Sequence, residues 1–318
     1  MIEQQSGEQA LGAVPAATAE DFGAVTAPAV DLSHIRTRAR LRPDERAFLW
    51  ISRAIIWVVT ALVIIPLILV FIASFTPGNA FIVTSLIPSS FSLEHYQAVF
   101  DPNQTQILLW LRNSAIVCIT TSVVSVLLVA FTGYAFSRFR FYGRKYGLMA
   151  LLLIQMFPAQ MSFVALYFLL VKIGLFNTLQ GLILVFLGGG IPFNAWLFKG
   201  YVDGLPRDLE ESAYVDGATR FQAFWRVILP LTRPMMAVIF IFQTIGIYND
   251  YILVNYLIND PDKLTIAVGL RSFLNGQFGQ HWNDFAAGAI IAAIPITLLF
   301  LAAQRWLVSG LAAGAVKG

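Results

Sequence analysis

Six apolar stretches, near residues 53–75, 114–136, 148–171, 180–198, 234–257 and 285–308, divide this chain. Each comes close to the roughly 20 residues a helix needs to cross the hydrocarbon core of a bilayer. The pattern predicts an all-α, polytopic membrane protein with six transmembrane helices. Composition agrees: 58% of the 318 residues are hydrophobic and only 12% charged, and the mean hydropathy of +0.71 lies outside the range of soluble globular domains. The fourth stretch is the shortest and holds Gly188, Gly189, Gly190 and Pro192, so its boundaries are the least defined.

Basic residues set the expected orientation, because loops on the cytoplasmic side carry the excess of Lys and Arg. Six arginines from Arg36 to Arg53 precede the first stretch. Arg138, Arg140, Arg144 and Lys145 lie between the second and third, and Lys199, Arg207, Arg220, Arg226 and Arg233 between the fourth and fifth. Arg305 and Lys317 follow the sixth, which leaves only Arg112, Lys172, Lys263 and Arg271 for the other side. Both termini are therefore expected in the cytoplasm. The net charge of +3 is spread over every inner loop rather than clustered with aromatics, so it points to topology and not to nucleic acid. Residues 1–50 read as a cytosolic tail, disordered at first and then basic where it meets lipid headgroups, and residues 51–318 as the transmembrane domain. The tail has no apolar run of the signal-peptide kind. Cys118 is the single cysteine and sits in an apolar stretch, where a thiol acts as a small hydrophobe.

The first outer loop, Thr76 to Asn113, contains one helical pattern, SLEHYQAVF, in which Ser92 is placed to cap and Leu93, Tyr96 and Phe100 to share a face. The third outer loop, Asn259 to Asp284, is rich in Asn, Asp and Gly, a composition that favours turns over a buried element. Within the apolar stretches the one deep charge is Asp250, in a run that also offers Gln243, Tyr248 and Asn249. Asp250 serves either structure and gating, with Asn249 beside it to satisfy it, or direct contact with a solute. His34, His95 and His281 all fall in loops or tails, which argues against a His-based proton relay.

The loop over residues 200–233 is polar and helix-patterned. Asp208 and Glu211 have the spacing of a capping box, Gly217 supplies the left-handed position that ends a helix, and Thr219 with Gln222 forms a second box. A second helix then carries Phe221, Phe224, Trp225 and Ile228 until Pro230 and Pro234 break it. Two short helices joined by Gly217 and Ala218 make a knob whose tip has almost no side chain, suited to a groove on a partner. The competing picture is a pair of helices lying on the membrane with its aromatics in the headgroups.

The run resembles the EAA loop of ABC importer permeases, whose pattern is Glu-Ala-Ala, three residues, Gly, nine residues, then Ile-x-Leu-Pro. Glu211, Ser212, Ala213, Gly217, Val227, Leu229 and Pro230 fall on those positions. The segments YAFSRFRFYG, NTLQGLIL and IPFNAWLFKGYVDG, and the run Tyr248 to Tyr251, are similar to carbohydrate importer permeases, and the ending GLAAGAVKG to the smaller permease subunit of maltose and maltodextrin transporters. The resemblance implies the type I importer permease fold in a bacterial or archaeal cytoplasmic membrane. It also implies that Glu211, Ser212, Ala213, Asp216, Gly217, Ala218, Leu229 and Pro230 dock a cytoplasmic ATPase, with Glu211 paired to a basic residue there. By the same resemblance Gln243, Tyr248, Asn249 and Asp250 are candidates for the translocation path. Asn259, Asn275, Gly276, Gln277, Phe278 and Gly279 are candidates for an outer loop that enters the cleft of a binding protein.

The sequence contains no G-x-x-x-x-G-K-[ST] phosphate loop. The resemblance therefore implies a non-catalytic subunit: two copies of an ATPase would hold ATP and Mg, a second, homologous permease would complete the path, and an extracytoplasmic sugar-binding protein would deliver maltose, maltodextrin or a related α-glucoside such as trehalose. No cofactor or metal is expected on this chain. Two rivals are an ion-gradient-driven secondary transporter, which would need midplane ionisable groups or paired broken helices, and an intramembrane enzyme, which would need a nucleophile, base or metal cluster in the bilayer.

Overall fold

A computed structural model describes residues 43–78, 90–274 and 281–315. All regular structure among them is helical. The chain divides into two compact units, residues 1–60 and 61–318. The described part of the first is a single helical segment from Pro43, whose apolar side chains, among them Trp50, Ile55 and Trp57, are uncovered. It forms the first half of α1 (Pro43–Phe75), which begins about ten residues before the apolar stretch that announced it, with Asp44 and Glu45 in its first turn.

The second unit is a helical bundle. After the rest of α1 come α2 (Glu94–Phe100) and α3 (Ile107–Arg138), then α4 (Arg144–Gln155), a 3-10 turn over Ala159–Ser162 and α5 (Phe163–Lys172). The stretch read as one span at 148–171 is therefore two helices, bent by 88° at Met156 to Pro158. Pro158 lacks the amide hydrogen that would continue the helix and restricts the residue before it. α6 (Leu179–Asp203) runs unbroken through Gly188, Gly189, Gly190 and Pro192, so the stretch with the least defined limits forms one of the longer helices. α7 (Asp208–Val215), α8 (Arg220–Ala223), a π-helical turn over Phe224–Ile228 and α9 (Leu229–Leu231) lead into α10 (Arg233–Tyr248). The bend of 72° into α10 falls at Thr232, after Pro230 and before Pro234, so Pro230 is accommodated inside the helical run. The stretch read at 234–257 breaks at Asn249 to Tyr251 and resumes as α11 (Ile252–Leu257). α12 (Ile266–Arg271) and α13 (Trp282–Ala315) complete the described chain. Four of these helices are long and apolar enough to span a membrane alone, and up to six spans result if each bent pair counts as one.

α3 is the axis of the unit. It lies along α6, and Gly133 allows the approach: a β-carbon there would sit 2.8 Å from Phe198 Cδ1 and 3.0 Å from the backbone O of Ala195. Small residues at such contacts matter because lipid is as apolar as the side chains, leaving close packing and interhelical hydrogen bonds to hold helices together. One such bond joins α10 to α3, from Thr244 Oγ1 to Ser122 Oγ at 2.9 Å. Around this axis Val129, Tyr134, Phe198, Val202, Phe224 and Ile239 form one buried cluster, and Val117, Cys118, Leu170, Leu182, Ile247 and Leu257 another.

The third cluster corrects the reading of the outer loops. Ile266, Leu270 and Phe273 are buried with Val99, Ile107, Trp110 and Ala287, so α12 is a packed element and not a run of turns. α2 turns a different face from the expected one. Ser92 Oγ does accept from Glu94 N at 3.1 Å, but His95 and Val99 are buried while Leu93 and Phe100 stay exposed. His95 is held by Asp284 of α13, Nδ1 to Oδ1 at 2.7 Å, and its other nitrogen meets the carbonyl of Thr76 at 2.9 Å.

Candidate functional site

The polar knob is built as its local signals require at one helix junction and not at the other. α7 ends in a paired cap around Gly217, at φ +84°: Ala218 N donates to Ala213 O at 2.9 Å and Gly217 N to Tyr214 O at 3.0 Å. This is the arrangement that a left-handed glycine permits. The box at the next helix is complete, with Gln222 N donating to Thr219 Oγ1 at 3.2 Å and Thr219 N to Gln222 Oε1 at 2.8 Å. The box expected at Asp208 and Glu211 does not form, because Asp208 already belongs to the helix and Arg207 precedes it without a side-chain cap.

Adjacent acids on α7 part ways. Glu210 is buried and accepts from Arg138 Nε, the last residue of α3, at 2.8 Å. Arg138 also donates to Leu205 O at 3.0 Å, and Ser137 beside it donates to Asp203 Oδ1 at 2.6 Å. Phe224 fixes the second half of the knob, its ring 4.7 Å from Tyr134 and 5.3 Å from Phe131, so this aromatic packs into the bundle and does not lie in headgroups. Glu211, Ser212, Asp216 and Gly217 remain exposed, Ala213, Ala218, Leu229 and Pro230 half-buried. Apolar Val215 and Phe221 are also uncovered on the knob, at 88% and 64% exposure. Glu211 borders a cavity of about 320 Å³ that also takes in Arg140, Arg207 and Arg220, and among the described residues it forms no ion pair. Among the described residues the knob thus presents unpaired carboxylates at Asp208, Glu211 and Asp216, several guanidinium groups and uncovered apolar side chains on a small-tipped support.

A larger cavity, about 940 Å³, opens where the two broken helices meet α6. Gln243, Asn249 and Asp250 line it, together with Ser162 and the glycines Gly188 to Gly190. Tyr248 is turned away, its hydroxyl donating to Ala292 O at 2.7 Å, so this candidate path residue serves α10–α13 packing. Asn249 does not satisfy Asp250. Its amide donates to Ile245 O at 2.8 Å, while Asp250 Oδ1 accepts from Leu253 N at 3.0 Å and so satisfies one open amide in the first turn of the helix that resumes after the break. At this size the cavity suits a ligand of several hundred cubic ångströms, and its amides, hydroxyl and the Asp250 carboxylate suit hydrogen-bonding solutes.

Of the outer-loop candidates, Asn275, Gly276, Gln277, Phe278 and Gly279 lie outside the described residues. Asn259 is anchored rather than free, since its backbone N and that of Asp260 both donate to Asn177 Oδ1, at 2.9 and 3.0 Å. The Lys263 ammonium, 2.8 Å from Asp260 Oδ2, holds that carboxyl below the usual carboxylate range. Among the described residues no three His, Cys, Asp or Glu side chains converge as a metal site would require.

Sequence reasoning missed the Arg138–Glu210 pair, the His95–Asp284 pair and the contact of Gly190 with Gln243. Each joins residues far apart in the chain, and no local spacing encodes them.

Residues 45–312 match the family model described as "Binding-protein-dependent transport system inner membrane component". The chain is 42% identical over 247 residues to the galactooligosaccharides transport system permease protein of Bacillus subtilis (strain 168), covering 77% of this chain and 87% of that one. It is 41% identical over 287 residues to the maltose/maltodextrin transport system permease protein of Vibrio vulnificus (strain YJ016), covering 85% and 96%. Its fold is similar to a chain in the crystal structure of a bacterial ABC transporter involved in the import of the acidic polysaccharide alginate, with a TM-score of 0.68 at 21% identity over 84% of this chain and 99% of that one.

Proposed function

The chain belongs to the family of binding-protein-dependent transport system inner membrane components, and from that premise we propose that it is one of two transmembrane subunits of an ATP-driven oligosaccharide importer. The observation that carries this reading is the knob, in which Arg138 and Glu210 fasten α7 to the foot of α3 while Glu211, Asp216 and the bare tip at Gly217 face outward. A carboxylate beside a small-tipped turn is the chemistry of a contact made by a second protein, and the direct tie to α3 gives that contact a route into the bundle.

In this reading two copies of a cytoplasmic ATPase hold ATP and Mg and grip the knobs of this chain and of a homologous permease. Closure of the ATPases draws the knobs together and moves the bundles from inward to outward access. This chain carries no catalytic residue. The excess of Lys and Arg on the knob side supports a cytoplasmic knob and cytoplasmic termini. An extracytoplasmic binding protein delivers the sugar, and the outer segment between Asn259 and Trp282 receives it. Relatives named for maltodextrins and for galactooligosaccharides support a neutral oligosaccharide as cargo, with α-glucosides of the maltose type first.

The test is reconstitution in liposomes with the companion permease, the ATPase and the binding protein, reading ATP hydrolysis and uptake across glucosides and galactosides. Stimulation of both by a sugar-loaded binding protein is expected. Uptake by this chain alone, driven by an ion gradient without ATP, would overturn the reading.

A further inference from the structure

The larger cavity holds a polar arrangement that helix packing does not explain. α6 carries three glycines in succession, Gly188 to Gly190, although glycine is among the poorest helix formers. Packing accounts for only one of them. A β-carbon on Gly190 would lie 2.5 Å from Gln243 Nε2, whereas nothing lies within 4 Å of one on Gly188 or Gly189. Two glycines therefore leave bare backbone on an open wall of the cavity, beside a third that makes room for an amide.

The amide is held in a definite orientation. Asn194 Nδ2 donates to Gly190 O at 2.9 Å, and because a carbonyl only accepts, that atom is nitrogen. The same Nδ2 lies 3.0 Å from Gln243 Oε1, so Gln243 presents oxygen to Asn194 and its Nε2 is left over. Among the described residues Nε2 has no acceptor, and the side chain lines the cavity. Gln155, the last residue of α4, donates to Gly189 O from across the 88° bend.

Gln243 is ten residues into α10 and Gly189 ten residues into α6, about 15 Å along each helix and near the middle of a hydrocarbon core about 30 Å thick. Polar groups at that level are costly and mark pathways. Gln243 and Asn249 bring neutral amides to this cavity and Asp250 a carboxylate that already accepts from Leu253 N, a set of groups that can hydrogen-bond hydroxyls.

We propose that Gln243, with the open wall left by Gly188 and Gly189, is a sugar-contact subsite in this chain: Asn194 positions the amide, its Nε2 hydrogen-bonds one ring of an oligosaccharide at mid-membrane, and the glycines give that ring room. The proposal rests on the importer reading and adds that this subunit touches the cargo itself.

The experiment uses the reconstituted four-component complex and glucose oligosaccharides of increasing length. Gln243→Leu removes the donor, and Gly189→Leu fills wall space where no protein atom is met. Uptake per ATP hydrolysed should fall about fivefold or more with Gln243→Leu, the loss of one hydrogen bond in the moving state. With Gly189→Leu the fall should steepen as the oligosaccharide lengthens. Unchanged uptake in both variants, for every sugar, would overturn the subsite while leaving the importer reading intact. Loss of the companion permease from purified Gly189→Leu complexes would also overturn it, because the glycine wall would then be a subunit contact. A native complex that takes up none of the sugars would remove both readings together.

Discussion

Arg138 Nε donates to Glu210 Oε1 across 2.8 Å, with both side chains only 6% exposed, so the foot of α3 and the first turn of α7 share a buried ion pair. Its neighbour Glu211 points the other way, into solvent. Breaking one partner of such a pair leaves an uncompensated charge, which is far more costly than a surface pair is worth. Glu210→Ala should therefore destabilise the chain by about 3 kcal/mol, read as a lowered melting temperature of the purified complex. Glu211→Ala should leave the melting temperature in place and weaken retention of the ATPase. Equal melting temperatures for the two variants would mean that the pair does not hold the knob.

At Gly217 backbone and surface effects can be separated. Its φ of +84° costs an alanine about 1 kcal/mol, while nothing in the chain obstructs a side chain there. Gly217→Asn tolerates that conformation and should preserve the fold. Gly217→Phe should uncouple ATP hydrolysis from uptake and release the ATPase. Normal coupling in the Phe variant would show that the tip meets no partner.

Gly133 and Gly200 predict opposite outcomes for one substitution in two helices. Alanine at 133 would press against Phe198 and the backbone of α6, and a loss of about 2 kcal/mol is expected. Alanine at 200 meets nothing within 4 Å and should be neutral or stabilising by up to about 1 kcal/mol. Thermal unfolding in detergent distinguishes them, and equal effects would contradict the close contact of α3 and α6.

The buried link from His95 to Asp284 ties α2 to the start of α13. His95→Ala removes one partner from Asp284, which keeps His281 Nδ1 at 3.1 Å, and one from the Thr76 carbonyl, which still accepts from Asn283 Nδ2 at 2.8 Å, and should cost about 1 kcal/mol. Faster proteolysis of the segment around α2, with the knob still protected, is the expected signature. An unchanged cleavage pattern would place the stability of this region elsewhere.

Much of the fold was legible because membrane spans and helix caps are local. The apolar stretches, the stop at Gly217 and the box at Thr219 and Gln222 each depend on residues within one or two turns. What escaped the sequence was set by distance or by what lies opposite. Arg138 and Glu210 are 72 positions apart, and nothing in the EESA run distinguishes the acid that turns inward. The 88° bend at Met156 to Pro158 was read through because Gln155, Pro158 and Gln160 are flanked on both sides by long apolar runs, and a window average over them reads like a continuous span. α12 looked like loop because its flanks are rich in Asn and Asp, while its buried face is made by Trp110 and Ala287 from elsewhere in the chain. The partner of the Tyr248 hydroxyl, Ala292 O, was hidden for the same reason.

The tie between Arg138 and Glu210 falls at the very end of a helix of 32 residues. Such a helix is about 48 Å long, so a tilt of about 6° at one end carries the other about 5 Å. If a partner pushes on the knob, such a tilt would be amplified into a displacement comparable to one helical turn at the opposite end, where α2 and α12 pack against α3. α3 is in that sense the gear ratio of the molecule, and shortening it or introducing a flexible joint within it would reduce the stroke even if every contact at both ends survived.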